Sequence, residues 1–149
     1  MNINFLWDGE KMKAITIVQP WASLLVMGPK QFETRSWPTN YRGPLAIHAG
    51  KSKSGLKLMK SPMSFLLRQE ADKLGINFEA TLGHVIGIID LVDCIEMTPG
   101  FIDSQIAVER GLGKWEPGRY AWEKSNASAI DPVPARGMQR IWEWEGHPI

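Results

Sequence analysis

The sequence predicts an α+β domain built on a closed or partly closed mixed β-barrel, with helices gathered at one side. Three observations predict it. The 149 residues, 44% hydrophobic and 22% charged, suit one globular domain with a core of its own. Six short strand-like runs and two main helical segments alternate as β-α-β-β-α-β-β-β. Most of those strands follow one another without a crossover helix, which favours a barrel-like closure.

Residues 1–11 read as an N-terminal extension, and residues 12–149 as the single domain. Lys13–Gln19 (KAITIVQ) is β-branched and bounded by Pro20, the signature of a first strand. Trp21–Met27 is a short helix with Pro20 before it and Gly28 closing it. Gln31–Ser36 is a second strand, with Phe32 and Thr34 on one face and Glu33 and Arg35 on the other. The run WPTNYRGP is turn chemistry, and Leu45–Ala49 is a third strand. Lys51–Lys60 reads as a short basic helix. Ser61-Pro62 caps a clearer helix that ends at Gly75, with Met63, Phe65, Leu66, Leu67, Ala71 and Leu74 as its buried face. His84–Ile95 is the longest β-branched run and predicts a central strand. A short helix is expected near Ser104–Glu109, and strands at Arg119–Glu123 and Gln139–Glu145. The last sets Ile141 and Glu143 against Trp142 and Trp144. DPVPARG, between them, is excluded as a central strand because Pro132 and Pro134 lack N–H donors.

Composition excludes several classes. Cys94 is the sole cysteine, so there is no intramolecular disulfide framework and no multi-cysteine zinc site. His48, His84 and His147 have no metal-ligand spacing, and neither metal nor cofactor is expected. His48 reads as a satisfied core or edge histidine and Cys94 as a buried, inert thiol. No run of 18 apolar residues marks a membrane span, and acidic Asp8 and Glu10 stand where a signal peptide would be apolar. The expectation is a cytoplasmic protein with no membrane partner; the oligomeric state is left open. The formal charge of +1 hides an asymmetry. Residues 1–69 carry ten Lys/Arg against three Asp/Glu, and residues 70–149 carry seven against thirteen. No acid lies between Glu33 and Glu70, an interval that holds seven cations. Such a stretch suits a polyanion, or a solvated face paired with the acidic half. Seven tryptophans serve core packing, with one or two available for stacking on bases or sugars.

The densest set of reactive side chains lies between Gly28 and His48: Lys30, Glu33, Arg35, Tyr41, Arg42 and His48. Lys30 and Glu33 are three apart across a turn into a strand, so they can meet. Lys30 is a candidate clamp or nucleophile activator, Glu33 a general base and Arg35 a stabiliser of developing charge. An ordinary ion-pair network assembles the same groups.

Several motifs in order carry a resemblance. They are Lys13-Ala14-Ile15, Gln19-Pro20-Trp21-Ala22, and Gly28-x-Lys30-x-x-Glu33-Thr34-Arg35-Ser36-Trp37. Tyr41-Arg42-Gly43-Pro44-Leu45-x-Ile47-His48-Ala49, Gly118-Arg119-Tyr120-Ala121-Trp122 and Pro134-Ala135-Arg136-Gly137-x-Gln139-x-Ile141-Trp142 follow. Together they resemble the ASCH domain family over about residues 12–145. The resemblance implies a PUA-like mixed β-barrel of five to seven short strands flanked by two to four helices. It also implies binding of RNA, or of a modified nucleoside or nucleotide, in a cleft beside the barrel. The matched positions expected to line it are Gln19, Trp21, Lys30, Glu33, Arg35, Arg42, Gly43, Tyr120 and Trp122. Cations would meet phosphate, aromatics would stack, and Gln or Glu would bond base edges.

The family also contains metal-independent hydrolases, so catalysis in the same cleft is the alternative reading. One chemistry is RNA phosphodiester cleavage, which Lys30, Glu33 and Arg35 would support. The other is amide hydrolysis of an N4-acylcytidine, performed in the family by Lys, Thr and Glu. That lysine carries over to Lys30, the threonine position falls on Glu33, and Glu109 is the nearest counterpart of the glutamate. A protein-interaction adaptor is the third reading.

Overall fold

The structure is a computed structural model that describes residues 11–146. Of the extension expected at residues 1–11, only Lys11 falls among the described residues; Trp7 and His147 lie outside them. The strands are β1 (Met12–Ile17), β2 (Phe32–Arg35), β3 (Gly43–Ala49), β4 (His84–Glu96), β5 (Tyr120–Pro134) and β6 (Ile141–Trp144). The helices are α1 (Trp21–Met27), α2 (Ser54–Leu58), α3 (Phe65–Asp72), α4 (Pro99–Asp103) and α5 (Ala107–Gly111). All six strands form one mixed sheet in the order β2-β5-β4-β3-β1-β6. β1 and β3 are parallel; every other pairing is antiparallel.

The class is α+β, but the barrel does not close. β2 and β6 are the two edges of the sheet and are not paired with each other. The sheet nevertheless curls until β2 faces β1: Arg35 of β2 donates from Nη2 to the carbonyl of Thr16 in β1 at 2.8 Å. Side chains rather than a backbone ladder therefore span an open seam between the β2 edge and the β1–β6 edge.

Strand alternation explains the two cores. Ile15, Ile17, Leu45, Ile47, Ala49, Ile89 and Leu91 point to the concave face, where Ala22, Leu25 and Val26 of α1 and Trp122 of β5 pack on them. Met12, Ala14, Ala46, Val85 and Ile88 point the other way and are covered by Trp142 and Trp144. Strands covered on both faces read as continuous apolar runs. α1 comes close to the sheet because β4 offers Gly87 beneath it: a Cβ there would lie 2.4 Å from Val26 Cγ1. Leu24, Leu67 and Leu112 then tie α1 to α3 and to the end of α5. Core indoles find acceptors for their N–H groups: Trp122 on the Trp37 carbonyl at 3.3 Å and Trp142 on Thr16 Oγ1 at 3.2 Å.

Several local expectations change. The described residues hold five α-helices, more than the two to four expected. Instead of one helix at Ser104–Glu109 there are two, because Thr98 Oγ1 caps the Phe101 N–H at 3.1 Å with Pro99 in the first turn, and Ser104 ends that helix. β5 runs through Asp131-Pro132-Val133-Pro134 despite its prolines. β2 pairs only with Tyr120–Glu123, so the later part of β5 has β4 as its one sheet neighbour and the missing N–H donors cost no ladder bond. Ser61 caps Met63 as expected, yet Met63 and Phe65 face solvent. A 3-10 turn over Pro62–Ser64 precedes α3, and the buried stripe is Leu67, Glu70 and Ala71. Cys94 is half-buried at the far end of β4 rather than fully enclosed. Arg42–Asp93 and Lys53–Glu79 pair the two halves of the chain at 3.5 and 3.9 Å, while Lys57 and Lys60 are exposed. Among the described residues no helix is long and apolar enough to cross a membrane.

Candidate functional site

The seam opens into a cleft of about 890 Å³. Thr16, Ile17 and Val18 of β1 and its exit form one wall, and Lys30 and Glu33–Trp37 form the other. Trp21, the turn Gly111–Lys114 and Arg119 line it further. Leu58, Met63 and Leu66 supply an apolar lip.

Its floor is a charged chain across the seam. Lys30 is 1% exposed, and its ammonium donates to the Phe32 carbonyl. The same Nζ stands 3.5 Å from Glu33 Oε1. The other oxygen, Oε2, accepts from Arg35 Nε at 2.8 Å. Two cations share one carboxylate, so the trio carries a net positive charge. Buried charges persist only when paired in this way.

Glu109 organises the wall from behind. Its carboxylate is 3% exposed and accepts from the backbone N–H of Gln31 at 2.7 Å and of Phe32 at 3.2 Å. Lys30 takes the Phe32 carbonyl, and Arg119 Nη2 donates to the Thr34 carbonyl at 3.3 Å. Charged side chains thus occupy polar backbone groups along the β2 edge, as protected edges require. Glu109, the nearest counterpart of the family glutamate, here holds a strand, and it is not among the residues lining the cleft. Lys124 of β5 donates to the Leu25 carbonyl. Burial, reinforced by the positive charge of Lys30 and opposed by Glu109, pulls the Lys124 ammonium down to about 8.

The structure brings Trp21, Lys30, Glu33 and Arg35 together on the cleft. The other candidates sit elsewhere. Gln19 is fully buried, its amide nitrogen donating to Ser23 Oγ and Thr81 Oγ1 at 2.8 Å and its oxygen accepting from the Ser23 N–H. Arg42 is exposed and donates to the carbonyls of Thr39 and Tyr41. Gly43 has a φ of 126°, which favours glycine, beneath the Tyr41 hydroxyl. Trp122 and Tyr120 stand opposite Glu33 and Arg35 across the β2–β5 ladder and join the concave core. Trp37, Lys114 and Arg119 line the cleft without having been singled out as site residues, although the quoted motifs contain Trp37 and Arg119. Thr34, on the opposite strand face from Glu33, still reaches the cleft because the Gly111–Lys114 turn folds over it, with the Lys114 N–H on Thr34 Oγ1 at 3.2 Å.

His48 is enclosed in a complete polar chain: Trp142 Nε1–H to Thr16 Oγ1, Thr16 to His48 Nδ1 at 3.1 Å, and His48 Nε2–H to the Ala135 carbonyl at 2.8 Å. Burial lowers its pKa from 6.5. Among the described residues no group of three or more His, Cys, Asp or Glu is arranged to hold a metal ion.

Comparison with known proteins fits this architecture. The chain is 39% identical to mouse activating signal cointegrator 1 and 38% identical to its human counterpart, each over 82 residues. Those stretches are 54% of this chain but 14% of each relative, so the chain spans about one seventh of their length. The crystal structure of ASCH from Zymomonas mobilis superposes with a TM-score of 0.51 at 15% identity, over 82% of this chain and 72% of that one. A point mutant of the same bacterial protein gives the same score and identity. The ASCH domain profile matches residues 15–134, from the middle of β1 to the last residue of β5. A match that contains β2, the charged trio and the Glu109 strand clamp makes this chain a member of the ASCH domain family.

Proposed function

We propose that the cleft binds RNA, or a modified nucleoside or nucleotide, as a recognition site. One observation carries the reading: the cleft joins Lys30, Arg35, Lys114 and Arg119 to the indoles of Trp21 and Trp37, with Glu33 as the one carboxylate among the described residues that line it. Cations meet phosphate, indoles stack on bases, and Glu33 keeps free lone pairs for a base-edge donor. A volume of about 890 Å³ suits a ligand of nucleotide size or larger. The test is anisotropy of a labelled single-stranded RNA at low and high salt. Affinity should fall steeply with salt, because bound phosphates release counterions. Arg35→Ala should weaken binding by about tenfold, the scale of one charged hydrogen bond. Salt-independent binding, or full affinity in Arg35→Ala, contradicts the reading.

The buried Lys30–Glu33 pair supports metal-independent hydrolysis as a second reading, of an RNA phosphodiester or an N4-acylcytidine. Incubation with both substrates in chelator, followed by mass spectrometry, separates the two. Turnover lost in Lys30→Ala assigns an enzyme, and intact substrates assign a binder. A protein that binds neither substrate would be an adaptor.

A further inference from the structure

The seam is crossed a second time, at its outer end. Trp37 follows β2, and Arg140 immediately precedes β6, so the two residues approach from opposite edges of the sheet. The Arg140 guanidinium lies over the Trp37 ring, 4.1 Å from its centroid. Trp37 is itself fixed edge-to-face on Trp122, with centroids 4.7 Å apart. Arg140 is exposed, and among the described residues its guanidinium has no acid or hydrogen-bond acceptor. A stacked guanidinium is held by its face, and its N–H donors lie in its plane. Among the described residues nothing takes these donors, which have the fork geometry that clasps a phosphate.

Two backbone features place this fork. Arg140 has a φ of 58°, in the left-handed region that a residue with a Cβ rarely occupies. Gly137 lets the loop lie flat on β1 and β3, because a Cβ there would be 2.7 Å from both Thr16 Oγ1 and His48 Cε1. Strain retained at an exposed residue whose guanidinium meets no acid among the described residues marks a position shaped by something other than stability.

We infer that Arg140, stacked on Trp37 across the seam, is a phosphate-binding residue at the mouth of the cleft, so that the ligand is a nucleotide rather than a bare nucleoside. This rests on the proposed reading of the cleft and deepens it. The phosphate belongs to the nucleotide whose base or sugar enters between Trp21 and Trp37.

Calorimetric titration would compare common ribonucleosides, their 5′- and 3′-monophosphates, and inorganic phosphate, on wild type, Arg140→Gly and Arg140→Lys. Wild type should favour a monophosphate over its nucleoside by about tenfold. Arg140→Gly should bring that ratio close to one, and Arg140→Lys should restore part of it. The thermal midpoint of Arg140→Gly should match or exceed that of wild type, since glycine accepts the backbone angle. A ratio that survives in Arg140→Gly overturns the assignment. So does inorganic phosphate that binds as tightly as the nucleotide. Wild type that binds nucleotides and nucleosides equally overturns it while sparing the cleft reading. Wild type that binds none of these, nor the labelled RNA, overturns both.

Discussion

Replacing Glu109 with glutamine tests how the candidate site is held. The glutamate accepts two backbone N–H groups at the entry to β2, and it also opposes the depression of the Lys124 pKa. Glutamine keeps the shape but offers one carbonyl oxygen, so its NH2 group faces one of the two backbone donors. One charge-assisted bond is lost, worth about 1.5–3 kcal/mol, and a buried donor is left unsatisfied at a further ~1 kcal/mol or more. A destabilisation of about 3 kcal/mol follows, which for a chain of this size lowers the thermal midpoint by roughly 10 °C. Glu109→Ala removes both acceptors and the counter-charge, and should cost about 4 kcal/mol. Urea and thermal unfolding measure the loss. Hydrogen exchange should show it first at the amides of Gln31 and Phe32. Glu109→Gln within 0.5 kcal/mol of wild type (about a twofold change in the unfolding equilibrium) would refute the strand-clamp role. Normal stability together with lost turnover would place Glu109 in chemistry instead.

Three further outcomes follow from named groups. The folded pKa of His48 lies below its ordinary 6.5, so the folded state binds fewer protons than the unfolded state in mild acid. Its contribution to stability is full above about 6.5 and is lost as pH falls through the folded value; the urea midpoint should drop between about pH 7.5 and pH 5.5, and less so in His48→Gln. Lys124 should titrate near 8 while ordinary surface lysines titrate near 10.4, which isotope-labelled dimethyl-lysine spectra resolve, with Lys124→Arg assigning the signal. Gly87→Ala would place its Cβ 2.4 Å from Val26 Cγ1 and 2.8 Å from the Ser128 carbonyl, pushing α1 off the sheet. It should destabilise by about 2 kcal/mol in urea unfolding, and wild-type stability would show that α1 shifts freely.

Local signals in the sequence were enough for much of the fold. Pro20 and Gly28 delimit α1 at Trp21–Met27, as expected, and the alternation in β6 buries Trp142 and Trp144 while Glu143 stays exposed. Contact between near neighbours was legible too: Lys30, Glu33 and Arg35 meet because a turn and a period-two strand bring them together. What the local segments do not show depends on partners far along the chain. Gln19 looks like a ligand contact until Thr81 takes up its amide. Trp122 looks like a stacking platform until the curl of the sheet encloses it with the Trp37 carbonyl on its N–H. The two prolines of β5 exclude a central strand, and none forms there; that a strand with one neighbour runs on through them shows only once β2 is seen to pair no further than Glu123. The open seam is a property of total sheet curvature, which no single segment encodes. That is why the place of Arg119 on the cleft, and of Arg140 across the seam, shows only in the structure.

Mapping ligand-induced shifts of backbone amides, on the isotope-labelled chain titrated with a short single-stranded RNA, would test the cleft reading most directly. The account predicts shifts concentrated at Thr16–Val18, Lys30–Trp37 and Gly111–Arg119, the segments that face one another across the seam. Shifts confined to the paired segments His84–Ile88 and Ser128–Pro134, or no shifts at low salt, would contradict it.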